Sequence, residues 1–563
     1  MKKNKSFKRK VKNLCLLFFV VIYCFSTFSY VGWYREGNKM TYLTSEGYKV
    51  ANAWRESDGM KFYLDENGYV LYDKVFWYNG KIYYVGPNGA KVTNSFVEVT
   101  SDMIVGDEIS PGYFYFSEDG SAYIKNGSNF LKTINGKKYA FDESGHIVAD
   151  CWLNKDGDLI ESNSEIITDG IYHIKPDGTI HQNEWYDYTS DPGSDYGMEE
   201  SNTMASSYDD LSNLWMYFNS KGEKVYSSGN SYKKVTLNGK EYTFDNNGIL
   251  VMGFQKSRSA LDTHQASNPT ITDRIKFYDK YEGYLVKNKW VYDATPEAFS
   301  ESDYYDGKDY WHYIDDSGSL VKNRIKTIGN NKYSFDGFGR LRKGFILVDG
   351  ITFYGAEYKA EDLTREDFIF SVADPEGGRL YGSDLLDLRY FIEDEAGENE
   401  GKMATGNIDI ELADGKYEFN FRTNGIAYGN KNELKFFKNT YYRNGIKFIP
   451  WEDTRYGIVK VSDTEYRVIN SSGKLVTGRK KVIKDDYENY IIILNDKLAA
   501  YIVQPTRKVK LRWKTFNNIT GYYYYDMDYE KKRYTGLAVA SGTTCPTADQ
   551  ISDIPKDLRV NFR

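Results

Sequence analysis

A short aromatic strand that runs into a tight turn ending on glycine recurs thirteen times along this chain. The first three turn glycines, Gly47, Gly68 and Gly89, are spaced twenty-one residues apart. Self-similarity at a short fixed period is typical of a solenoid. The sequence therefore predicts an all-β fold, a solenoid of stacked β-hairpin repeats of about 20 residues with loop insertions and a C-terminal capping element. The other turn glycines are Gly120, Gly145, Gly178, Gly222, Gly248, Gly283 (with one extra residue in its turn), Gly318, Gly339, Gly425 and Gly473.

The second repeat shows how one unit is expected to fold. Lys61 to Leu64 is predicted as a strand, Asp65 to Gly68 as the turn and Tyr69 to Tyr72 as the returning strand. Glycine at the last turn position supplies the positive φ that such turns require. Because one two-stranded hairpin is barely stable alone, each must bury its aromatic face against the next. The abundance of Tyr (52) and Gly (49) over Pro (11) suits short strands joined by tight turns.

The amino terminus has the pattern of an export signal. Seven Lys and Arg residues lie within Met1 to Asn13, and Leu14 to Tyr30 follows without a charge. This pattern predicts a secretory signal peptide at 1–30, with an uncleaved single-span anchor as the alternative. Without those seven residues the chain has 66 basic and 80 acidic side chains, a net charge of −14. Such a surface repels nucleic acid, so no nucleic-acid partner is expected.

The spacing of the glycines loosens along the chain, which divides it into segments. Insertions at equivalent repeat positions are expected to emerge on one side of the array, where they could contact other proteins. The longest insertion, Glu357 to Glu400, holds fourteen acidic and four basic residues and is interpreted as an elaborated repeat with acidic loops. The predicted segments are 31–97 (regular hairpin repeats), 98–355 (hairpin repeats with insertions), 356–400 (acidic insertion), 401–503 (degenerate hairpin repeats) and 504–563 (a C-terminal β cap).

Residues suited to catalysis or to metal binding do not cluster in the sequence. After the signal segment only Cys151 and Cys545 remain, too few for a disulfide framework or a thiolate metal site. The five histidines have no recurring Ser or Cys partner, and no segment outside the repeats is long enough for a glycosidase domain. The sequence therefore predicts a non-catalytic protein without a metal or a cofactor.

The stretch Gly32-Trp33 … Met40-Thr41-Tyr42-Leu43-Thr-Ser-Glu-Gly47 resembles the cell-wall-binding repeat of Gram-positive surface proteins. That family includes choline-binding modules, the glucan-binding repeats of glucosyltransferases and the carbohydrate-binding tails of clostridial toxins. Its pattern is Gly-Trp, a short loop, Trp-Tyr-Tyr and a turn ending in Gly. The resemblance covers roughly 32–355 and 401–503. It implies a β-solenoid at the cell surface that binds wall polysaccharide, choline on teichoic acid, or another extracellular glycan.

The chain departs from the choline pattern within that resemblance. A choline site resembles an aromatic cage built from the Gly-Trp indole, the first aromatic of Trp-Tyr-Tyr and an aromatic of the next repeat. Here Met40, Lys61 and Ile82 replace that first aromatic in the first three repeats, and a lysine there would repel choline. Trp185 with Trp215, and Trp290 with Trp311, keep both tryptophan positions. A glycan is therefore at least as good a candidate as choline.

Seven tryptophans are candidates for ligand binding because the sequence pattern places them at the Gly-Trp or Trp-Tyr-Tyr positions. An indole face stacks on sugar C–H groups while its N–H donates a hydrogen bond. Packing between hairpins is the alternative role for each of them. The candidate residues for stacking or caging a ligand, including partner tyrosines, are Trp33, Tyr42, Trp54, Tyr63, Trp77, Tyr84, Trp185, Trp215, Tyr217, Trp290, Trp311 and Tyr313.

The sequence pattern is compatible with two functions from different classes. The first is a secreted, non-catalytic protein that binds a wall polysaccharide or an extracellular glycan. The second is a structural scaffold that presents the inserted loops to other proteins, as an adhesin does. Exposure of the tryptophans in grooves between hairpins would favour the first, and their burial by neighbouring hairpins the second.

Overall fold

A computed structural model describes most of the chain after residue 30. The described residues are 31–190, 214–228, 232–256, 275–295, 307–348, 357–369, 387–395, 397–451, 453–503, 509–526 and 534–562. The predicted signal peptide at 1–30 lies outside them. The chain divides into two compact units, the first comprising 1–233 with 244–250 and the second comprising 234–243 with 251–563.

The first unit is a series of antiparallel two-stranded hairpins, each formed by consecutive strands. A 3-10 helix covers Ser101–Met103 and another Tyr188–Ser190, and helix α1 covers Asn163–Asp169. The strands are β1 Gly32–Glu36, β2 Lys39–Leu43, β3 Ala53–Ser57, β4 Met60–Leu64, β5 Lys74–Tyr78, β6 Lys81–Val85, β7 Ser95–Val99, β8 Gly112–Phe116, β9 Leu131–Ile134, β10 Lys137–Ala140, β11 Cys151–Leu153, β12 Tyr172–Ile174, β13 Glu184–Asp187 and β14 Trp215–Phe218.

The second unit starts with hairpins and continues into larger sheets. Its helices are α2 Glu366–Ile369 and α3 Ala548–Ser552, with 3-10 turns at Ala360–Asp362 and Lys556–Leu558. Its strands are β15 Lys233–Leu237, β16 Lys240–Phe244, β17 Gly253–Lys256, β18 Ile275–Tyr278, β19 Lys289–Ala294, β20 Asp309–Ile314, β21 Arg324–Ile328, β22 Asn331–Phe335, β23 Leu341–Arg342, β24 Gly344–Val348, β25 Glu357–Tyr358, β26 Asp387–Phe391, β27 Gly406–Leu412, β28 Gly415–Phe421, β29 Lys435–Phe437, β30 Thr440–Arg443, β31 Ile446–Lys447, β32 Tyr456–Ser462, β33 Glu465–Asn470, β34 Lys480–Lys484, β35 Tyr490–Leu494, β36 Lys497–Ile502, β37 Val509–Phe516, β38 Ile519–Asp526 and β39 Tyr534–Ala540.

The repeated glycine turn has the conformation that the sequence predicts. All thirteen turn glycines have positive φ, between 70° and 89°. In the second repeat the Asp65 carboxylate accepts the backbone N–H groups of Asn67 and Tyr69, and the Gly68 N–H donates to the Asp65 carbonyl. The turn at Gly283 closes one residue later, from Gly283 N–H to the Asp279 carbonyl, as its extra residue predicts. The prediction of an all-β array of stacked hairpins is confirmed.

Stacking of one hairpin on the next explains why these positions are glycine. A Cβ added at Gly68 would lie 2.7 Å from the Lys49 Cβ and 3.0 Å from the Val50 carbonyl, both in the preceding repeat. Gly47, in the first described repeat, has nothing within 4 Å of such a Cβ. From Gly68 onward in the first unit, the residue two places after each of the predicted turn glycines also donates its N–H to the preceding hairpin. In the first unit these bonds are Val70 to Met40, Lys91 to Lys61, Ala122 to Ile82, Ile147 to Tyr113, Ile180 to Lys138, Lys224 to Ile171 and Leu250 to Trp215.

We expect Gly68→Ala to destabilise the first unit by about 2 to 4 kcal/mol, because it adds an inter-repeat clash to the strain of positive φ. Gly59→Ala is the matched control, since Gly59 also has positive φ but has nothing within 4 Å of its Cβ. We expect Gly59→Ala to lower the free energy of unfolding by only about 1 kcal/mol. Urea unfolding of both variants measures the difference, and equal losses would contradict this account of stacking.

One insertion contains a turn that the sequence analysis missed. Gly157 has a φ of 82°, and its N–H donates to the Asn154 carbonyl as in the other turns. Its Cβ position falls 2.3 Å from the ring of Phe130 in the preceding hairpin. The chain then forms α1 before returning in β12 to pair with β11. Within the segment predicted as hairpin repeats with insertions, 154–169 therefore holds a further glycine turn followed by a helix.

The acidic insertion is built into the core of the second unit. Its strand β26 pairs with β24, and β24 pairs with β25. Phe368 and Ile369 of α2 are fully buried among aromatic residues that include Phe345 and Phe419. The segment therefore contributes a strand and a helix to the packed core, while its interpretation as an elaborated repeat stays a prediction and 370–386 lies outside the described residues.

The segments after the insertion depart from simple hairpins. Strands β27, β28, β31, β30 and β29 form one five-stranded sheet, where the sequence predicted degenerate hairpins. At the end of the chain, β37 to β39 form a three-stranded sheet. Residues Ile554 and Leu558 are buried beside β32, and Val560 N–H donates to the Ile458 carbonyl. The carboxyl-terminal segment thus covers apolar side chains of the sheets before it.

Candidate functional site

Four of the candidate tryptophans occupy one repeated position in the hairpins. Each lies directly opposite a candidate tyrosine on the partner strand, with ring centroids 5.1 to 5.4 Å apart in edge-to-face geometry. The pairs are Trp33 with Tyr42, Trp54 with Tyr63, Trp185 with Tyr217, and Trp290 with Tyr313. The structure therefore brings eight of the twelve predicted residues together as four aromatic pairs.

A left-handed residue two places before the tryptophan sets this position. Asn52, Asn183 and Asn288 have φ values of 48°, 53° and 50°, and Trp54, Trp185 and Trp290 follow them. Asparagine tolerates positive φ better than other residues with a Cβ. Since side chains alternate along a strand, fixing where the strand starts also fixes which face carries the indole.

Each indole lies in the groove between its own hairpin and the next. The Trp33 ring is 5.4 Å from Phe62, and the Trp54 ring is 5.4 Å from Tyr83. The Trp290 ring is 4.9 Å from Tyr333. The four tryptophans of the pairs are half-buried. A half-buried indole beside a tyrosine is an arrangement in which a sugar can stack on the ring face.

Trp77 does not share this repeated position, and that part of the sequence interpretation is wrong. It lies opposite Ile82, whereas Val75 lies opposite Tyr84 and takes the place of the tryptophan. The 21-residue spacing from Trp33 through Trp54 reaches Val75, so the sequence held the signal. Trp77 is 38% exposed near the hairpin end, and its role in ligand binding stays a prediction.

Trp152 holds the repeated position, and the sequence analysis missed it. It follows Asp150, whose φ is 53°, and it lies opposite His173 on β12. Only 4% of its surface is exposed, because Ile166 and Ile167 of α1 pack in the same cluster. The helix in the insertion therefore closes this groove, and Trp152 serves packing.

Trp215 and Trp311 occupy the first position of the Trp-Tyr-Tyr pattern, two residues before the paired tyrosine. Trp311 is 39% exposed and lies 5.0 Å from the exposed ring of Tyr292. Its ring is nearly perpendicular to that of Trp290, at 88°, with centroids 6.3 Å apart. These two indoles form adjacent walls of one open groove in the second unit.

The hydroxyl groups of the grooves are neutral at physiological pH. Burial raises the pKa values of Tyr63, Tyr83 and Tyr313 above the usual value. The Tyr84 hydroxyl donates a hydrogen bond to the Asp73 carboxylate. Neutral phenols can donate and accept hydrogen bonds with sugar hydroxyls.

A serine, a histidine and an aspartate meet in the first unit, although the sequence showed no such set. His146 Nδ1 lies 3.2 Å from an Asp142 carboxylate oxygen. Its Nε2 lies 3.3 Å from Ser110 Oγ, but 3.0 Å from the Ser110 carbonyl oxygen. With Nε2–H directed at that carbonyl, the nitrogen has no lone pair to activate the hydroxyl. We interpret these contacts as structural, because they hold the loop before β8 against the turn that ends at Gly145.

The described residues hold no cluster of three His, Cys, Asp or Glu side chains that could bind a metal ion. In the same part of the chain, no helix has the length and apolar character needed to cross a membrane.

Comparison with known proteins gives relatives in sequence, and no protein-family model matches the chain. Glucosyltransferase-S of Streptococcus mutans is 25% identical over 396 residues, which is 67% of this chain and 22% of that protein. Glucosyltransferase-I of Streptococcus downei is 22% identical over 296 residues, 46% of this chain and 17% of that protein. The chain thus spans about a fifth of the length of these relatives. The resemblance to the cell-wall-binding repeat class, which includes glucosyltransferases, is confirmed.

Solved structures with similar hairpins come from Streptococcus pneumoniae. Choline binding protein F, crystallised with a peptidoglycan analogue, is 16% identical, with a TM-score of 0.31, and the match covers 66% of this chain and 97% of that one. The autolysin LytC, in complex with a synthetic peptidoglycan ligand, is 15% identical, with a TM-score of 0.25 and coverage of 60% and 51%. The choline-binding domain of CbpL is 18% identical, with a TM-score of 0.25 and coverage of 40% and 88%.

Proposed function

We propose that the chain is a secreted, non-catalytic surface protein that binds a cell-wall polysaccharide, teichoic acid or another extracellular glycan through the aromatic grooves between its hairpins. The half-buried indoles carry this proposal. Trp33, Trp54, Trp185 and Trp290 are each half-buried opposite a tyrosine. A purely structural tryptophan at the same position is closed off, as Trp152 is.

Repetition of the groove sets the kind of binding to expect. A shallow aromatic groove offers one stacking face and a few hydroxyl groups, so each contact with a sugar is weak. A polymer that reaches several grooves of one chain gains effective concentration after its first contact. The protein is therefore expected to bind long glycans well and short oligosaccharides poorly.

The rest of the chain fits a place outside the cell. The basic and then apolar segment at 1–30 supports export, and the acidic remainder repels anionic lipid head groups. The similarity to streptococcal glucosyltransferases favours a glucan or a related extracellular polysaccharide as the first ligand to test.

Retention on insoluble polymers tests the proposal. Residues 31–563 should be retained on purified Gram-positive cell walls or on insoluble glucan and released by soluble glucan as a competitor. Choline chloride as a second competitor separates cation binding from sugar binding. Release by neither, with no retention on any polymer, would favour the scaffold that presents its inserted loops to proteins.

A further inference from the structure

The groove between the second and third hairpins already contains a cation. The rings of Trp54, Tyr78 and Tyr83 pack edge to face there, with centroids 5.4 to 6.4 Å apart. The Lys91 Nζ lies 5.6 Å from the Trp54 centroid and 5.9 Å from that of Tyr83. The ammonium therefore lies over two ring faces within the distance at which cation–π attraction acts.

The position of Lys91 is fixed from both ends of its side chain. Its backbone N–H donates to the Lys61 carbonyl, and its Nζ donates to the Asp119 carbonyl at 2.6 Å. The alkyl chain between them passes over Gly120, whose Cβ position falls 2.7 Å from the Lys91 Cδ. The ammonium is therefore held over the rings by a hydrogen bond and by the tight turn beneath it.

The same repeat position elsewhere shows that Lys91 is not needed for stacking. The residue two places after the turn glycine is Val70 in the preceding repeat and Ala122 in the following one. Both make the same inter-repeat hydrogen bond through their backbone. The lysine side chain therefore adds something that the fold does not require at this position.

The charges around the groove leave one ammonium in excess. Lys81 forms an ion pair with the Asp119 carboxylate at 2.8 Å. Lys61 lies opposite Glu56 in the second hairpin, on the face that carries Trp54. The remaining cation is Lys91, and burial together with the nearby Lys61 lowers its pKa. A carboxylate or phosphate group that entered the groove would relieve both effects.

We infer that Lys91 sets the charge preference of this groove, so that it rejects quaternary ammonium ligands and takes a saccharide that carries an acidic group. The ammonium of Lys91 occupies the place that an external cation would need. The indole of Trp54 remains for stacking on the sugar ring, and Nζ can donate to its carboxylate or phosphate. The glycan part of this inference rests on the proposed function, whereas the exclusion of choline does not.

Lys91→Ala tests the inference, because Ala122 shows that this residue fits the repeat. The wild-type residues 31–563 should give no choline signal at this groove in Trp fluorescence, whereas the variant should gain choline affinity by at least about tenfold. Glucuronate and phosphorylated oligosaccharides should bind the wild type better than the neutral oligosaccharide of equal length. The variant should lose that preference, and whichever acid is favoured identifies the group.

Lys49→Ala is the matched control. Lys49 occupies the same repeat position and lies 4.0 Å from the ring of Tyr69, outside the tryptophan grooves. That variant should gain no choline binding. If Lys91→Ala folds by circular dichroism and binds choline no better than the wild type does, Lys91 does not set the charge preference of this groove. A wild type that binds no glycan would contradict the proposed function, yet the choline comparison would still decide the role of Lys91.

Discussion

Replacing Trp33, Trp54, Trp185 and Trp290 together by leucine should lower retention on an insoluble glycan by more than about 100-fold. Each indole supplies one weak stacking contact, and a multivalent polymer multiplies the effects of several contacts. Any single replacement, such as Trp54→Leu, should therefore change retention on the polymer by only about threefold. The measurements are co-sedimentation with insoluble glucan and with purified wall, together with titration of a short oligosaccharide.

Leucine keeps apolar packing in the groove, because each of these indoles also contacts its partner tyrosine and the next hairpin. Trp152→Leu controls for the loss of an indole that contributes only to packing. Trp152 holds the same repeat position but is closed off by α1, so its replacement should lower the free energy of unfolding without changing retention. If the four-fold variant stays folded and is still retained, the grooves are not the binding sites.

The repeat was predictable from the sequence because distinct residue types mark its turn and the start of its first strand. A glycine must close each turn, since the backbone is left-handed there and a Cβ meets the preceding hairpin at Gly68 and at its equivalents. The same constraint marks the start of the strand through residues such as Asn52. Where both signals are present, the fold and the paired tryptophans follow from local rules.

The remaining features depend on contacts between residues far apart in the chain. Trp77 was assigned by residue type, whereas the register is set by the left-handed Asp73, which places Val75 opposite Tyr84. The burial of Trp152 required knowing that α1 folds back over it. The hydrogen-bonded set of Ser110, His146 and Asp142 joins residues thirty-six positions apart, and no local sequence pattern predicts that contact.

Replacing Lys224 is expected to change how the stability of the first unit depends on pH. Its side chain is only 2% exposed, and Nζ donates to the Ile167 carbonyl at 2.7 Å. Burial lowers its pKa to about 7, with the Asp245 and Asp169 carboxylates opposing that shift. The equivalent residue in the next repeat is Leu250, so the stacked fold accepts an apolar side chain at this position.

The direction of the pH dependence follows from where the proton is bound. The unfolded chain keeps a lysine pKa near 10.4, so between about pH 7 and pH 10 it binds a proton that the folded chain does not. The free energy of unfolding should therefore rise with pH in this window, by up to about 1.4 kcal/mol per pH unit from this group. Below pH 7 the lysine is charged in both states, and the full cost of burying the charge remains.

Lys224→Met should remove that dependence. The variant loses the hydrogen bond to the Ile167 carbonyl but no longer buries a charge. We therefore expect its free energy of unfolding at pH 7 to be about 2 kcal/mol higher than that of the wild type. Between pH 7 and 9 its stability should stay level where that of the wild type rises by about 2 kcal/mol. Urea unfolding of residues 31–563 at pH 6, 7, 8 and 9 measures both, with Lys49→Ala as the control for loss of an exposed lysine at the same repeat position. If the free energy of unfolding of wild type and of Lys224→Met changes with pH in parallel, burial does not lower the pKa of Lys224 in the folded chain.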